Sequence, residues 1–105
     1  MLGDMINRIQ GAKVEAQERL KAVSVEKSDA NNQVTVTMSG EKRILDLRIA
    51  PELHEKGEPE LTADVVANVI NEALVEVAIK EKEIMDKISA DIMPGGLEGF
   101  KGLLG

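Results

Sequence analysis

The chain has 105 residues, a length typical of a single domain. It has no cysteine, which excludes disulfides and thiolate metal sites and fits a reducing compartment. Its formal net charge of −6 argues, taken alone, against a nucleic-acid partner. Phe100 is the sole aromatic residue, so the core must be aliphatic and small, and a second copy of the chain is a natural source of further burial.

The sequence gives no sign of membrane insertion. Its longest apolar runs fall well short of the roughly 18 residues that a membrane span needs. The first ten residues, MLGDMINRIQ, carry Asp4 early and lack the layout of a secretory signal. We therefore expect a cytoplasmic protein without a membrane partner.

A first helix is predicted over residues 4–22. Apolar or small side chains recur there at spacings of three and four, which is typical of one helical stripe: Leu2, Met5, Ile9, Ala12, Ala16, Leu20 and Val23. Alanine holds positions where a core helix usually carries leucine. We therefore expect this helix to be partly exposed or to meet a partner.

Three strands are predicted next, forming an antiparallel meander over residues 22–27, 33–38 and 43–49. Gly40 is predicted to turn the chain between the second and third strands. Pro51 cannot donate a hydrogen bond to a sheet, so it is predicted to end the third strand. Within that strand, alternation places three apolar residues toward the core and two charged residues toward solvent: Leu45, Leu47 and Ile49, against Asp46 and Arg48.

An acidic loop, ELHEKGEPEL, separates the sheet from a second helix predicted over residues 62–91, with Thr62 as its N-cap. That helix would be about 45 Å long, more than a three-stranded sheet can cover. Part of it must project, and its apolar stripe needs cover. The predicted fold is α+β in the order α-β-β-β-α, one domain over residues 1–93 with long projecting helices, followed by a flexible glycine-rich tail over residues 94–105.

No chemistry typical of an enzyme is found. His54 is the only histidine and lies in a charged loop without a cysteine or an activated serine nearby, so a solvated side chain is expected. The loop carboxylates lack the spacing of a calcium loop, and the tail glycines lack the preceding strand of a phosphate loop. We expect no catalysis, no cofactor, no metal site and no small-molecule substrate.

The positive charge is distributed unevenly. Five basic and five acidic residues balance over residues 1–30, whereas residues 51–64 carry one lysine against five acids, and residues 65–93 three lysines against six acids. Any anion-binding surface is therefore expected in the N-terminal half. The candidates are Arg8, Lys13, Arg19, Lys21, Lys42, Arg43 and Arg48.

These cations have two interpretations. As solvated surface charges they need no partner. As phosphate contacts they would give weak, salt-sensitive binding without sequence information. Arg8 and Arg19 are eleven residues apart, three helical turns, and so share one face. The near absence of aromatic rings disfavours a platform for single-stranded nucleic acid.

The order and spacing of several short motifs resemble the YbaB/EbfC family of small bacterial nucleoid-associated proteins. These motifs are VTVTMSG, RILDLRIAPEL, an acidic loop and VVANVINEAL. The resemblance covers nearly the whole chain. It implies an intertwined homodimer with helices that project like tweezers, binding to double-stranded DNA with little or loose sequence preference, a location at the nucleoid, and an influence on nucleoid organisation or gene expression.

The resemblance also implies roles for particular residues. Gly40 would form the hairpin turn, Pro51 would stop the strand, and Asn71 would hold a structural position on the dimer-forming helix. DNA contacts would lie on the projecting helices and the dimer surface, first at Arg8, Lys13, Arg19 and Lys21, then at Lys42, Arg43 and Arg48, and less at Lys80, Lys82 and Lys87. The alternative hypothesis is a non-enzymatic protein–protein adaptor that uses its projecting amphipathic helices.

Overall fold

The computed structural model describes residues 2–92, so the predicted tail at residues 94–105 lies outside the described residues. Its elements follow one another as α1 (Leu2–Ala22), β1 (Ser24–Ser28), β2 (Val34–Ser39), β3 (Ile44–Ile49), α2 (Pro51–Glu55) and α3 (Pro59–Ile92). The predicted α+β fold, with a three-stranded antiparallel meander between two long helices, is confirmed. The short helix α2 was not predicted.

The sheet has the order β1-β2-β3, and α3 packs across β1 and β2. Cross-strand partners share a face, and Val36 pairs with both Lys27 and Leu47. The face toward α3 is apolar except for Lys27, which pairs with Glu76 of α3 at 3.8 Å, and its central members are almost completely buried. The core consists of Val25, Val34, Val36, Met38, Leu53, Val69, Ala73 and Val77.

Both hairpin turns contain a residue with left-handed backbone, Asn32 at φ 55° and Lys42 at φ 66°. In the β1–β2 turn, the carboxylate of Asp29 accepts hydrogen bonds from the backbone N–H groups of Gln33 (2.6 Å) and Val34 (2.8 Å). In the β2–β3 turn, the N–H of Lys42 donates to the carbonyl oxygen of Ser39 at 2.9 Å. These local bonds satisfy backbone groups that the ladders leave unpaired and so fix the register of both hairpins.

The prediction that Leu45, Leu47 and Ile49 are buried in the core is wrong for the single chain. Leu45 is 59% exposed and Leu47 is 42% exposed, while Ile49 is half-buried. Leu47 does lie on the same sheet face as buried Val36, but α3 passes over β1 and β2 and leaves β3 uncovered. Leu45 is the extra residue of an irregularity in the β2–β3 register, which interrupts the simple alternation.

The region predicted as an acidic loop is also more ordered than expected. Pro51 lies two residues after the end of β3, with Ala50 between them, and opens α2, where a missing N–H costs nothing. Pro59 opens α3 in the same way, three residues before the predicted start. Thr62 is therefore not an N-cap: its hydroxyl donates to the carbonyl oxygen of Glu58 at 3.2 Å from within the helix. Leu53 of α2 is buried in the core.

Beyond the sheet, α1 and the second half of α3 pack against each other as an antiparallel pair. Ala16 and Ile88 are the buried residues of that contact, and alanine allows the two helix backbones to approach closely. With 34 residues, α3 is about 51 Å long. The described molecule measures 65 × 25 × 17 Å, so the helix pair projects from the sheet, as predicted.

Candidate nucleic-acid interface

The structure brings the end of α1 and the β2–β3 turn together. The N–H of Gly40 donates to the carbonyl oxygen of Val23 at 3.1 Å, and Gly40 lies directly against the backbone of Leu20. The turn that carries Lys42 and Arg43 therefore lies against the last turn of α1. That last turn carries Arg19 and Lys21. We call these four residues (Arg19, Lys21, Lys42 and Arg43) the basic corner.

The other α1 candidates extend this positive surface along the projecting helix. Arg8 and Arg19 lie on one face of the continuous α1, about 16 Å apart along its axis. Lys13 precedes Lys21 by eight residues and lies on another side of the helix. Arg8 also lines a shallow groove between α1 and α3, with a lining that includes Glu15 and Asp91.

Arg48 lies outside the basic corner. It pairs with Thr35 across the sheet, near the end of β3 that is far from the β2–β3 turn. Its side chain is on the face opposite α3, as predicted, and is 81% exposed. The structure therefore does not unite all seven candidates in one patch.

Three of the seven candidates are already paired with carboxylates. Each pair is exposed or partly exposed. The pairs are Arg19–Glu15 at 2.6 Å, Arg48–Asp46 at 2.8 Å and Lys42–Glu81 at 3.7 Å. Within residues 2–92, the other four candidates form no ion pair, namely Arg8, Lys13, Lys21 and Arg43.

Of the three α3 lysines that ranked lower, two are paired with carboxylates, and Lys87 forms no ion pair within residues 2–92. Lys82 pairs with Asp86 at 2.9 Å, and Lys80 approaches Glu83 at 4.0 Å. The partners are four residues apart in the first pair and three in the second, spacings that can be read from the sequence. The carboxylate partners of the candidate cations were not predicted. The Glu15–Arg19 spacing could have revealed one of them, whereas Glu81 is 39 positions from Lys42 along the chain and no local pattern points to it.

Negative charge is concentrated at the opposite end of the sheet. The N–H of Ala50 donates to the carbonyl oxygen of Gln33 at 2.7 Å, which places the start of α2 beside the β1–β2 turn. The acid-rich segment 51–64 is thus separated from the basic corner by the length of β2. The basic corner also has carboxylates beside it, at Glu15, Glu41 and Glu81, so the contrast is between an acid-rich end and a corner of mixed charge.

The three residues predicted to be structural have different surroundings. Gly40 occupies a backbone contact that no side chain would fit, and Pro51 starts a helix. Asn71 is exposed on α3 and contributes nothing to the core of the single chain. Its predicted role at a dimer-forming helix stays a prediction.

Residues 2–92 also bear on metal binding and on membrane insertion. No group of three or more histidine, cysteine, aspartate or glutamate side chains within residues 2–92 is arranged to hold a metal ion. His54 is exposed in α2. Over this part of the chain, none of the helices combines the length and the apolar character needed to cross a membrane.

Comparison with known proteins agrees with this architecture. The sequence profile of the YbaB/EbfC DNA-binding family matches residues 1–92. A nucleoid-associated protein of Halalkalibacterium halodurans is 36% identical over 77 residues, covering 72% of this chain and 75% of the relative. A nucleoid-associated protein of Koribacter versatilis is 27% identical over 99 residues, covering 94% and 95% of the two chains.

The fold has a solved counterpart. The crystal structure of an uncharacterized protein from Helicobacter pylori superimposes with a TM-score of 0.71 at 19% identity, over 79% of this chain and 87% of that one. The fold class is thus a small α+β protein with a three-stranded meander and a long C-terminal helix. The chain belongs to the YbaB/EbfC DNA-binding family, and the predicted resemblance is confirmed.

Proposed function

We propose that this protein is a nucleoid-associated protein that binds double-stranded DNA as a homodimer with little or loose sequence preference. Its place would be the bacterial nucleoid in the cytoplasm, and nucleoid organisation or gene expression would be the processes it influences. Family membership supports DNA as the partner. The observation that carries the proposal is the separation of the basic corner and α1 from the acid-rich end of the sheet.

The unpaired cations provide the phosphate contacts in this proposal. Lys21 and Arg43 belong to two elements that the Gly40 contact brings together, while Arg8 and Lys13 extend along α1. A cation that has no carboxylate partner is free to neutralise a phosphate and release a counterion. Because these contacts reach the backbone and not the base edges, the binding carries little sequence preference.

The homodimer is supported by the uncovered part of β3. Ile44, Leu45 and Leu47, here called the β3 apolar patch, are 48%, 59% and 42% exposed beside the core. β3 is also an edge strand, whose outer N–H and C=O groups lack a strand partner within residues 2–92. An exposed apolar edge strand tends to pair with another chain or to aggregate unless something covers it. In our proposal a second copy covers it, so each dimer presents two basic corners.

Charge reversal tests this function. Lys21→Glu and Arg43→Glu change unpaired cations of the basic corner, and Arg8→Glu with Arg19→Glu changes the shared face of α1. Each should weaken binding to duplexes of different sequence by a similar factor and make the salt dependence shallower. Lys56→Glu introduces the same charge change at the acid-rich end and should have a smaller effect. Equal losses for Lys56→Glu and the basic-corner variants would contradict this location.

A protein–protein adaptor is the second candidate, favoured by one observation. Val75 and Ile79 are 62% and 48% exposed, one turn apart on α3. Co-purification from nuclease-treated extracts separates the two functions: a specific protein retained without DNA would favour the adaptor, and the loss of every partner would count against it.

A further inference from the structure

Carboxylates of the same chain compete with DNA for part of the proposed binding surface. The carboxylate of Glu15 accepts a hydrogen bond from the guanidinium of Arg19 at 2.6 Å, and the carboxylate of Glu81 lies 3.7 Å from the ammonium of Lys42. Both cations belong to the basic corner, so half of that corner is bound to carboxylates of its own chain. Asp46 likewise pairs with Arg48, which lies outside the basic corner.

The Glu81–Lys42 pair differs from the Glu15–Arg19 and Asp46–Arg48 pairs because it joins separate elements. Glu81 lies on α3 one turn beyond Val77, the last α3 residue of the core, and Lys42 lies in the β2–β3 turn. Their side chains are 38% and 50% exposed, so a phosphate can approach Lys42 from solvent. Exposed ion pairs of this kind are weak, so a phosphate can replace the carboxylate.

We propose that Glu15 and Glu81 are intramolecular competitors that hold down the affinity of the basic corner for DNA phosphates. This inference rests on the proposed function. In the free protein, the two carboxylates neutralise Arg19 and Lys42 and keep them close to the surface. DNA must displace both carboxylates before it gains these two contacts, and the displaced charges then repel the duplex.

Neutral, isosteric substitutions test this inference. Glu15→Gln and Glu81→Gln keep a good helix former at each position and remove only the competing charge. Each should lower the Kd for a random 24-base-pair duplex by about two- to five-fold, the range expected for one exposed pair. The slope of log K against log salt should stay nearly the same, because the wild type also gains both phosphate contacts once the carboxylates are displaced. Glu55→Gln removes the same charge at the acid-rich end and serves as the matched control.

A double-mutant cycle identifies the cation through which Glu81 acts. In a Lys42→Gln background, Glu81→Gln should no longer improve binding, because the released partner is absent. An equal improvement with and without Lys42 would overturn the inference, as would an equal improvement from Glu55→Gln. Binding by the wild type with no gain in either variant would overturn the competition and leave the proposed function standing. An absence of binding by all variants, even at low salt, would overturn both.

Discussion

A β-carbon at position 40 would lie 3.0 Å from the Cα of Leu20 and closer still to its carbonyl oxygen. Only glycine therefore allows the β2–β3 turn to lie against the last turn of α1. Because this contact assembles the basic corner, it links the fold to the proposed DNA surface.

Gly40→Ala should destabilise the fold, because the backbone of Leu20 cannot yield as the tip of a side chain would. We expect a loss of about 1–3 kcal/mol in the free energy of unfolding, the range of overpacked sites, measured by urea denaturation. Gly11→Ala is the control: a β-carbon there has no neighbour within 4 Å, and alanine should stabilise α1 by up to about 1 kcal/mol. Equal stabilities for the wild type and Gly40→Ala would show that the contact is dispensable.

Asp29 should make stability depend on acid pH. The hydrogen bond from the Val34 N–H, followed by those from Gln33 and Asn31, lowers the pKa of the Asp29 carboxyl below its usual 3.8, and partial burial opposes the shift only in part. The folded state thus binds the proton less readily than the unfolded state. The carboxylate's contribution is complete above the unfolded pKa and is lost as the pH falls through the folded pKa.

Asp29→Ala tests this account by removing the acceptor. It should cost about 1 kcal/mol at pH 7, comparable to the loss of a helix cap, and the difference from wild type should shrink below pH 3.8. Thermal unfolding followed by circular dichroism between pH 2.5 and pH 7 measures both quantities. A difference that stays constant across this range would mean that the charge of Asp29 has no part in stability.

Lys42 should reveal a trade between stability and binding. Its left-handed backbone at φ 66° is unfavourable for a residue with a side chain, so Lys42→Gly should stabilise the fold by about 1 kcal/mol or less. The same change should weaken DNA binding, because it removes a cation from the basic corner. Asn32→Gly is a matched control: it should stabilise the fold less than Lys42→Gly, because asparagine tolerates the left-handed conformation better. Destabilisation by Lys42→Gly would show that the left-handed backbone of Lys42 is not a source of strain.

The β3 apolar patch gives a prediction about assembly. A charge placed there should disrupt a dimer that buries the patch, so Leu47→Glu should produce a monomer in sedimentation velocity experiments at concentrations where the wild type is dimeric. Val14→Glu makes the same change at an apolar residue of α1 that is 54% exposed, and it should leave the dimer intact. A dimer that survives Leu47→Glu would place the interface elsewhere.

Periodicity in the sequence was sufficient for the order of the long elements. Alternation in VTVTMS predicts a strand, and Val34, Val36 and Met38 do form its buried face. The same alternation predicted a buried face for β3, which is wrong in the single chain. A period of two shows which residues share a face of a strand, but whether a helix covers that face depends on where α3 crosses the sheet.

The candidate site could be predicted only in part. Residue type and charge distribution identified the cations, and helical spacing placed Arg8 and Arg19 on one face. The contact between Gly40 and Leu20 joins residues 20 positions apart, and nothing local in the sequence indicates it. The same holds for the Glu81–Lys42 pair. The helix α2 was missed because charged, proline-containing segments are typical of loops, although proline is also favoured in the first turn of a helix.

The most direct test of the central claim is a titration of a fluorescently labelled random-sequence duplex with the wild-type protein, followed by anisotropy at several salt concentrations. The account predicts binding at low salt that weakens steeply as salt rises, with a slope of about 0.9 for each phosphate neutralised. An unrelated duplex of the same length should give the same curve. No binding at low salt, or binding that is insensitive to salt, would contradict phosphate recognition by the basic corner and α1.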